Sequence, residues 1–200
     1  IDIQSPDTWS IFGSTVDEVL ELISHELTHC AMYQSAGNEQ TWPYKSIPLW
    51  FREGMASVSA EQGYRRATPE TIWRYYLGAA NPPVSAGRSG DQGGGGGGSA
   101  SLPAATKRRR LPDPRKRLPG GDPISDPDPI YQHQADVVYG ASHWAFKFLI
   151  DRYGEEKVRH VLLGMGRGQS FALAFERAIG LTADDFEADF KRYVIWQGWR

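Results

Sequence analysis

A single cysteine, Cys30, leaves this 200-residue chain no intrachain disulfide and excludes a cysteine-based metal centre. Long apolar runs are missing too: charged residues interrupt every stretch well before 18 positions, so no membrane-spanning helix is expected. No signal peptide is visible. The chain starts at Ile1 rather than at a methionine and enters on what reads as a strand end, so we expect an upstream segment to have been removed. Location stays undetermined, with a lean toward an extracytoplasmic or cell-envelope setting. Excess charge of either sign is also lacking: 22 Lys and Arg face 24 Asp and Glu, a net of −2. Residues 85–130 hold eight Lys or Arg and five Asp, a net of +3, which leaves about −5 on the remainder. A polyanion-binding domain spreads basic charge over a folded face carrying aromatics or a known module. Neither is present, so no specific nucleic-acid partner is expected, and 107–117 reads as a solvated linker. A nucleic-acid binder would instead show steep salt dependence through those residues and no metal requirement.

What the chain has is enough apolar material for a core. With 40% hydrophobic residues and seven tryptophans, one domain is the natural count. It divides into residues 1–83, an insertion at 84–130 and a C-terminal part at 131–200. Short strands are expected near Ile1–Ile3 and Trp9–Phe12, and helices thereafter, so the fold class is mainly α with little N-terminal sheet. The insertion carries six consecutive glycines (93–98), Lys107 to Arg110, Arg115 to Arg117 and several Asp-Pro steps. Such a composition buries too little apolar surface to offset its ordering entropy, and it reads as a disordered loop. Further on, Gly154 and Gly180 mark helix ends, and Thr182 opens a final amphipathic helix whose apolar face includes Phe186, Phe190, Tyr193 and Val194.

The chemistry lies in His25-Glu26-Leu27-Thr28-His29. Two imidazoles four positions apart on a helix share one face and can converge on a single tetrahedral zinc ion. Glu26, beside them, fits a general base acting on a metal-activated water, a role that a structural zinc site would not need. Thr15 and Glu18 form a capping-box pattern ahead of it. Val16, Leu20, Ile23, Leu27 and Ala31 make an apolar stripe opposite the histidines, so the helix is expected to turn one face to the core and the other to a cleft. The alternative is a surface helix with two solvated histidines. Cys30 is a packed residue on this reading, since adjacent helical side chains point about 100° apart.

Two histidines need a third ligand. The extended pattern HExxHxxGxxH fails, because its glycine and histidine positions hold Met32 and Ser35. A later helix beginning near Pro48, with Ser46 as its cap, supplies Glu53. Gly54 and Ala56 would allow this helix to approach the first closely. An ordinary exposed glutamate is the competing reading of Glu53.

These residues together resemble the gluzincin branch of zinc metallopeptidases, in particular the bacterial peptidase MA-like domains. Members carry HELTH and then a helix reading roughly Pro-x-Trp-x-x-Glu-Gly-x-Ala, matched here by Pro48, Trp50, Glu53, Gly54 and Ala56. Tyr139 to Val158 is similar to the family's post-site helix and turn, and Phe171 to Ile195 to its closing helices. The resemblance covers about three quarters of the chain. It implies a zincin-like domain, a Zn2+ cofactor on His25, His29 and Glu53, Glu26 as catalytic base, and a peptide or protein substrate. It also implies an oxyanion donor from a later helix. Tyr139 is the first candidate and His143, one turn on, the second; both are equally explained by packing. The family's substrate-binding sheet is largely missing, which leaves a catalytically silent zinc-binding or interaction domain as the alternative function.

Overall fold

The computed structural model describes residues 15–37, 46–80, 111–116, 118 and 120–197. Helix α1 (Val16–Ala36) starts at a reciprocal cap: the Glu18 amide donates to the Thr15 hydroxyl, while the Thr15 amide donates to the Glu18 carboxylate at 2.9 Å. Helix α2 (Leu49–Ser59) begins after Pro48, whose carbonyl accepts from the Phe51 and Arg52 amides at 3.0 and 3.2 Å. Proline itself occupies the cap position, and Ser46 does not cap this helix as expected. The chain then passes through Glu61 in the left-handed region (φ 53°) and enters a 3-10 turn, Gln62–Arg65. Helix α3 (Pro69–Ala80) is capped by the Thr68 hydroxyl, which accepts from the Thr71 amide.

The C-terminal part is helical throughout its regular elements. Short α4 (Asp128–Tyr131) leads into α5 (Ala135–Tyr153), which stops at Gly154 with φ 83°. Helices α6 (Glu155–Gly166), α7 (Phe171–Ile179) and α8 (Ala183–Arg192) come next, ending in a π-helical turn at Tyr193–Gln197. Gly180 closes α7 at φ 92°, and Thr182 caps α8, both in agreement with the sequence pattern. Among the described residues the only β pairing is an isolated bridge between Asp122 and Asp126, so the mainly α class holds. The strands expected within residues 1–13 lie outside the described residues. No helix of the described residues is long and apolar enough to cross a membrane.

Helix α2 is the central strut. Trp50 and Phe51, both fully buried, anchor it among aromatic rings: Trp50 stacks on Phe186 with centroids 4.9 Å apart, and Phe51 meets Phe146 and Phe171 edge-on. One turn further along the same face Gly54 lies flat against α5. A Cβ there would sit 2.3 Å from the Ser142 carbonyl oxygen and 2.6 Å from the Phe146 Cβ. The small residue therefore serves close packing against α5, not the approach to α1 that the sequence suggested.

The outward face of α1 reverses another expectation. Val16, Leu20 and Leu27 are 75, 56 and 60% exposed, and Ala31 is exposed as well. The buried residues are His25, Met32, Tyr33 and Ala36, spaced at helical intervals along one side. Met32, Tyr33 and Ala36 join the core, and because His25 and His29 share their face, the histidines point inward toward α2 while the apolar stripe points away.

The expected insertion is not a disordered loop throughout. Residues 81–110 lie outside the described residues, but Leu118 and residues 120–126 are docked on the helices. Leu118 and Ile124 enter the core, and Asp122, almost fully buried, pairs with Lys191 of α8 at 2.7 Å. The other Asp122 oxygen accepts from the Ile124 and Ser125 amides. Tyr75 of α3 donates to the Gly121 carbonyl. A charge pair and several hydrogen bonds supply the ordering free energy that apolar composition alone did not suggest. Of the basic residues nearby, Arg115 faces Asp185 at 3.7 Å.

This packing carries two expected outcomes. Gly54→Ala should lower stability by about 1–3 kcal/mol through overpacking against α5, measured by denaturant unfolding. Glu187, on α8 with Lys191, accepts a hydrogen bond from Trp50 Nε1 at 2.9 Å, yet burial pushes its carboxyl up to about 7. The folded state thus holds this proton more tightly than the unfolded chain does. Its stabilising contribution is present below pH 4.5 and is lost as pH rises to about 7. Glu187→Gln keeps an acceptor for Trp50, and should flatten that decline and raise stability at pH 8 by about 2–3 kcal/mol.

Candidate metal centre

Helices α1 and α2 bring His25, His29 and Glu53 together. Their nearest atoms form a small triangle: His25 Nε2 to His29 Nε2 is 3.2 Å, and Glu53 Oε2 stands 3.6 Å from the first and 3.7 Å from the second. All three side chains are 10–14% exposed, so the group is shielded on most sides. Glu53 is therefore an inward-facing carboxylate, not an ordinary surface glutamate. Cys30 is half-buried and outside the cluster.

The triangle fits a tetrahedral cation. Bonds of roughly 2.0–2.1 Å to imidazole nitrogen and carboxylate oxygen, at tetrahedral angles, separate ligand atoms by about 3.4 Å. The three observed edges bracket that value, and two imidazoles with one carboxylate are the donor types that zinc takes in sites keeping a position open. Burial pushes the Glu53 carboxyl up, but hydrogen bonds and charge from His25 and His29 outweigh it and bring it down to about 2. It is a carboxylate across the neutral range, as a metal ligand must be.

The two histidines are held differently. His25 Nδ1 meets Gln62 Oε1 at 3.1 Å. His29 stacks on Tyr33, with ring centroids 6.2 Å apart, and its buried Nδ1 has no hydrogen-bond partner among the described residues. Glu26 is half-buried beside His25 and makes no hydrogen bond or ion pair among the described residues, so its carboxylate is uncommitted. Arg52 Nε lies 3.9 Å from the second Glu53 oxygen.

Tyr139 and His143 separate clearly. Tyr139 is half-buried on α5, its hydroxyl 2.5 Å from that of Tyr131 and its ring under the Arg66 guanidinium at 5.2 Å. Burial, the Tyr131 contact and the Glu53 charge all push its hydroxyl up, so it stays protonated. His143 is committed elsewhere: its Nδ1 meets the Ser57 hydroxyl at 3.0 Å, and a Cβ on Gly63 would lie 2.8 Å from its Nε2. Burial, helped by the Arg66 and Lys147 charges, brings it down to about 4. It is a neutral, packed imidazole whose Nδ1 is engaged by Ser57. His160, at the surface, pairs with Glu156.

Gln62, Arg66 and Ser57 went unremarked in the sequence. Nothing in residue type marks them: Ser57 lies on α2, and Gln62 and Arg66 come near the site through the turn that follows the left-handed Glu61. Comparison with family models, with curated proteins and with solved structures finds no match for this chain.

The geometry leads to one expected outcome. Elemental analysis of the purified chain should find one equivalent of zinc, and Glu53→Ala should lose most of it. Full retention in the variant would remove Glu53 from the ligand set.

Proposed function

We propose that this protein is a zinc-dependent peptidase of the gluzincin type, with His25, His29 and Glu53 holding the metal and Glu26 as general base. The observation that carries this is the ligand triangle at tetrahedral spacing with an uncommitted carboxylate one residue from His25. When bound, zinc would supply an acidified water, with pKa near roughly 7, and polarise a peptide carbonyl.

The chain's own residues provide the rest. Glu26 takes a proton at its carboxylate from the attacking water and returns it to the departing amine. Its freedom from other partners leaves it available for both transfers. Tyr139, kept protonated, would donate its hydroxyl hydrogen bond toward the developing oxyanion. Arg66, stacked over the same ring, fixes the ring's position. The substrate is a peptide or protein, and the uncommitted carboxylate of Glu26 is what favours hydrolysis over metal storage.

Glu26→Gln decides the matter. It should retain zinc at parental stoichiometry and lose at least about 100-fold in hydrolysis of a peptide library, the scale expected for a general base. Parental activity in that variant would end the base assignment. Zinc bound without hydrolysis in the parent would instead favour the metal-holding interaction domain.

A further inference from the structure

Behind His25 runs a chain of hydrogen bonds whose direction is set at one end. The Arg66 guanidinium has donors and no acceptor. Its Nε donates to Ser57 Oγ at 3.0 Å and its Nη2 donates to Gln62 Oε1. The Gln62 side chain must therefore turn its oxygen, not its NH2, toward Arg66, since the reverse would set donor against donor. That same oxygen is the atom facing His25 Nδ1. An amide oxygen only accepts, so His25 Nδ1 carries the proton and its Nε2 is left with a bare lone pair. Nε2 is the atom that points into the ligand triangle.

The other branch agrees. Ser57 Oγ accepts from Arg66 Nε and lies 3.0 Å from His143 Nδ1, to which its own proton can be given when that nitrogen is bare. A neutral His143 is what its buried position supports.

We propose that Arg66 and Gln62 are positioning residues that lock the polarity of this chain, fix the Nδ1-protonated tautomer of His25 and thereby set the affinity of the site for zinc. The inference rests on the zinc-site reading. It assigns to Arg66, 41 positions downstream of His25 and outside the ligand triangle, a defined effect on metal binding. Partners of this kind on a ligating histidine change metal affinity by roughly 10–100-fold.

Zinc affinity is to be measured by competition with a chromophoric chelator on the parent, Gln62→Leu, Gln62→Glu, Arg66→Leu and the Gln62→Leu/Arg66→Leu double variant, with helical content checked by circular dichroism. Gln62→Leu should weaken zinc binding by roughly 10–100-fold, and Arg66→Leu by about tenfold. Gln62→Glu, which keeps an acceptor against His25 and Arg66, should bind as tightly as the parent or tighter. Arg66→Leu should add nothing in the Gln62→Leu background, because its effect passes through that amide. Parental affinity in Gln62→Leu, loss in Gln62→Glu as large as in Gln62→Leu, or additive effects in the double variant would each overturn the proposal. Should Gln62→Leu fail to fold, Arg66→Leu carries the test: unchanged affinity overturns it. No zinc in the parent would end the site reading itself, whereas zinc in the parent with the variants unchanged ends only this inference.

Discussion

Contact between α2 and α5 across Gly54 is the constraint on which the remaining geometry rests. With no side chain at that position, the α2 backbone lies against the Ser142 carbonyl and the Phe146 side chain. Trp50 and Phe51 then lock the helix axis into an aromatic core that draws on α5, α7 and α8. Glu53 precedes Gly54 by one residue, so its carboxylate is aimed by a helix packed closely on both α5 and the aromatic core. The site on α1 is met by a rigid strut rather than a loop, and preorganisation of that kind is what a metal-ligand set requires.

The polar groups near the site are arranged with the same economy. Buried hydrogen-bonding atoms are costly when left unpaired, and here Arg66 serves two acceptors at once, Gln62 and Ser57, each of which is in turn engaged with a histidine. One imidazole, His25, faces the ligand triangle; the other, His143, closes the network against Gly63. Two histidines that look alike in sequence thus have opposite fates, because one has a carboxylate and a second imidazole in front of it and the other has only backbone.

Much of this was legible in the residues, and the limits are instructive. Caps and stops depend on a few neighbouring backbone groups, so Thr15 with Glu18, Gly154, Gly180 and Thr182 all act where the sequence pattern puts them. The gathering of His25, His29 and Glu53 was also within reach, since spacing puts the histidines on one face and a second helix offers one carboxylate. What failed was orientation. An apolar stripe on α1 suggested an inward face, yet Met32, Tyr33 and Ala36 claim the core and leave Leu20 and Leu27 exposed, because tertiary packing decides between competing faces of one helix. The docking of Leu118 and residues 120–126 was missed for a related reason: an Asp-Pro-rich stretch gives no sign that Asp122 will find Lys191 nearly seventy residues later. Gln62 and Arg66 were invisible because their importance lies in a left-handed turn at a non-glycine residue, Glu61.

The three residues of the proposed metal site all fall between positions 25 and 53, and their backing through Gln62 extends only to position 66. Closing so short a span costs little chain entropy, whereas the α2–α5 contact at Gly54 joins residues almost ninety positions apart. Local contacts generally form sooner than long-range ones, so this topology favours early pairing of the two helices with their turn and a later closure of the aromatic cover. On the zinc-site proposal, a cation bound to this early pair would favour the native register before α5 arrives, which would make the rate of maturation, and not only the finished site, sensitive to metal supply.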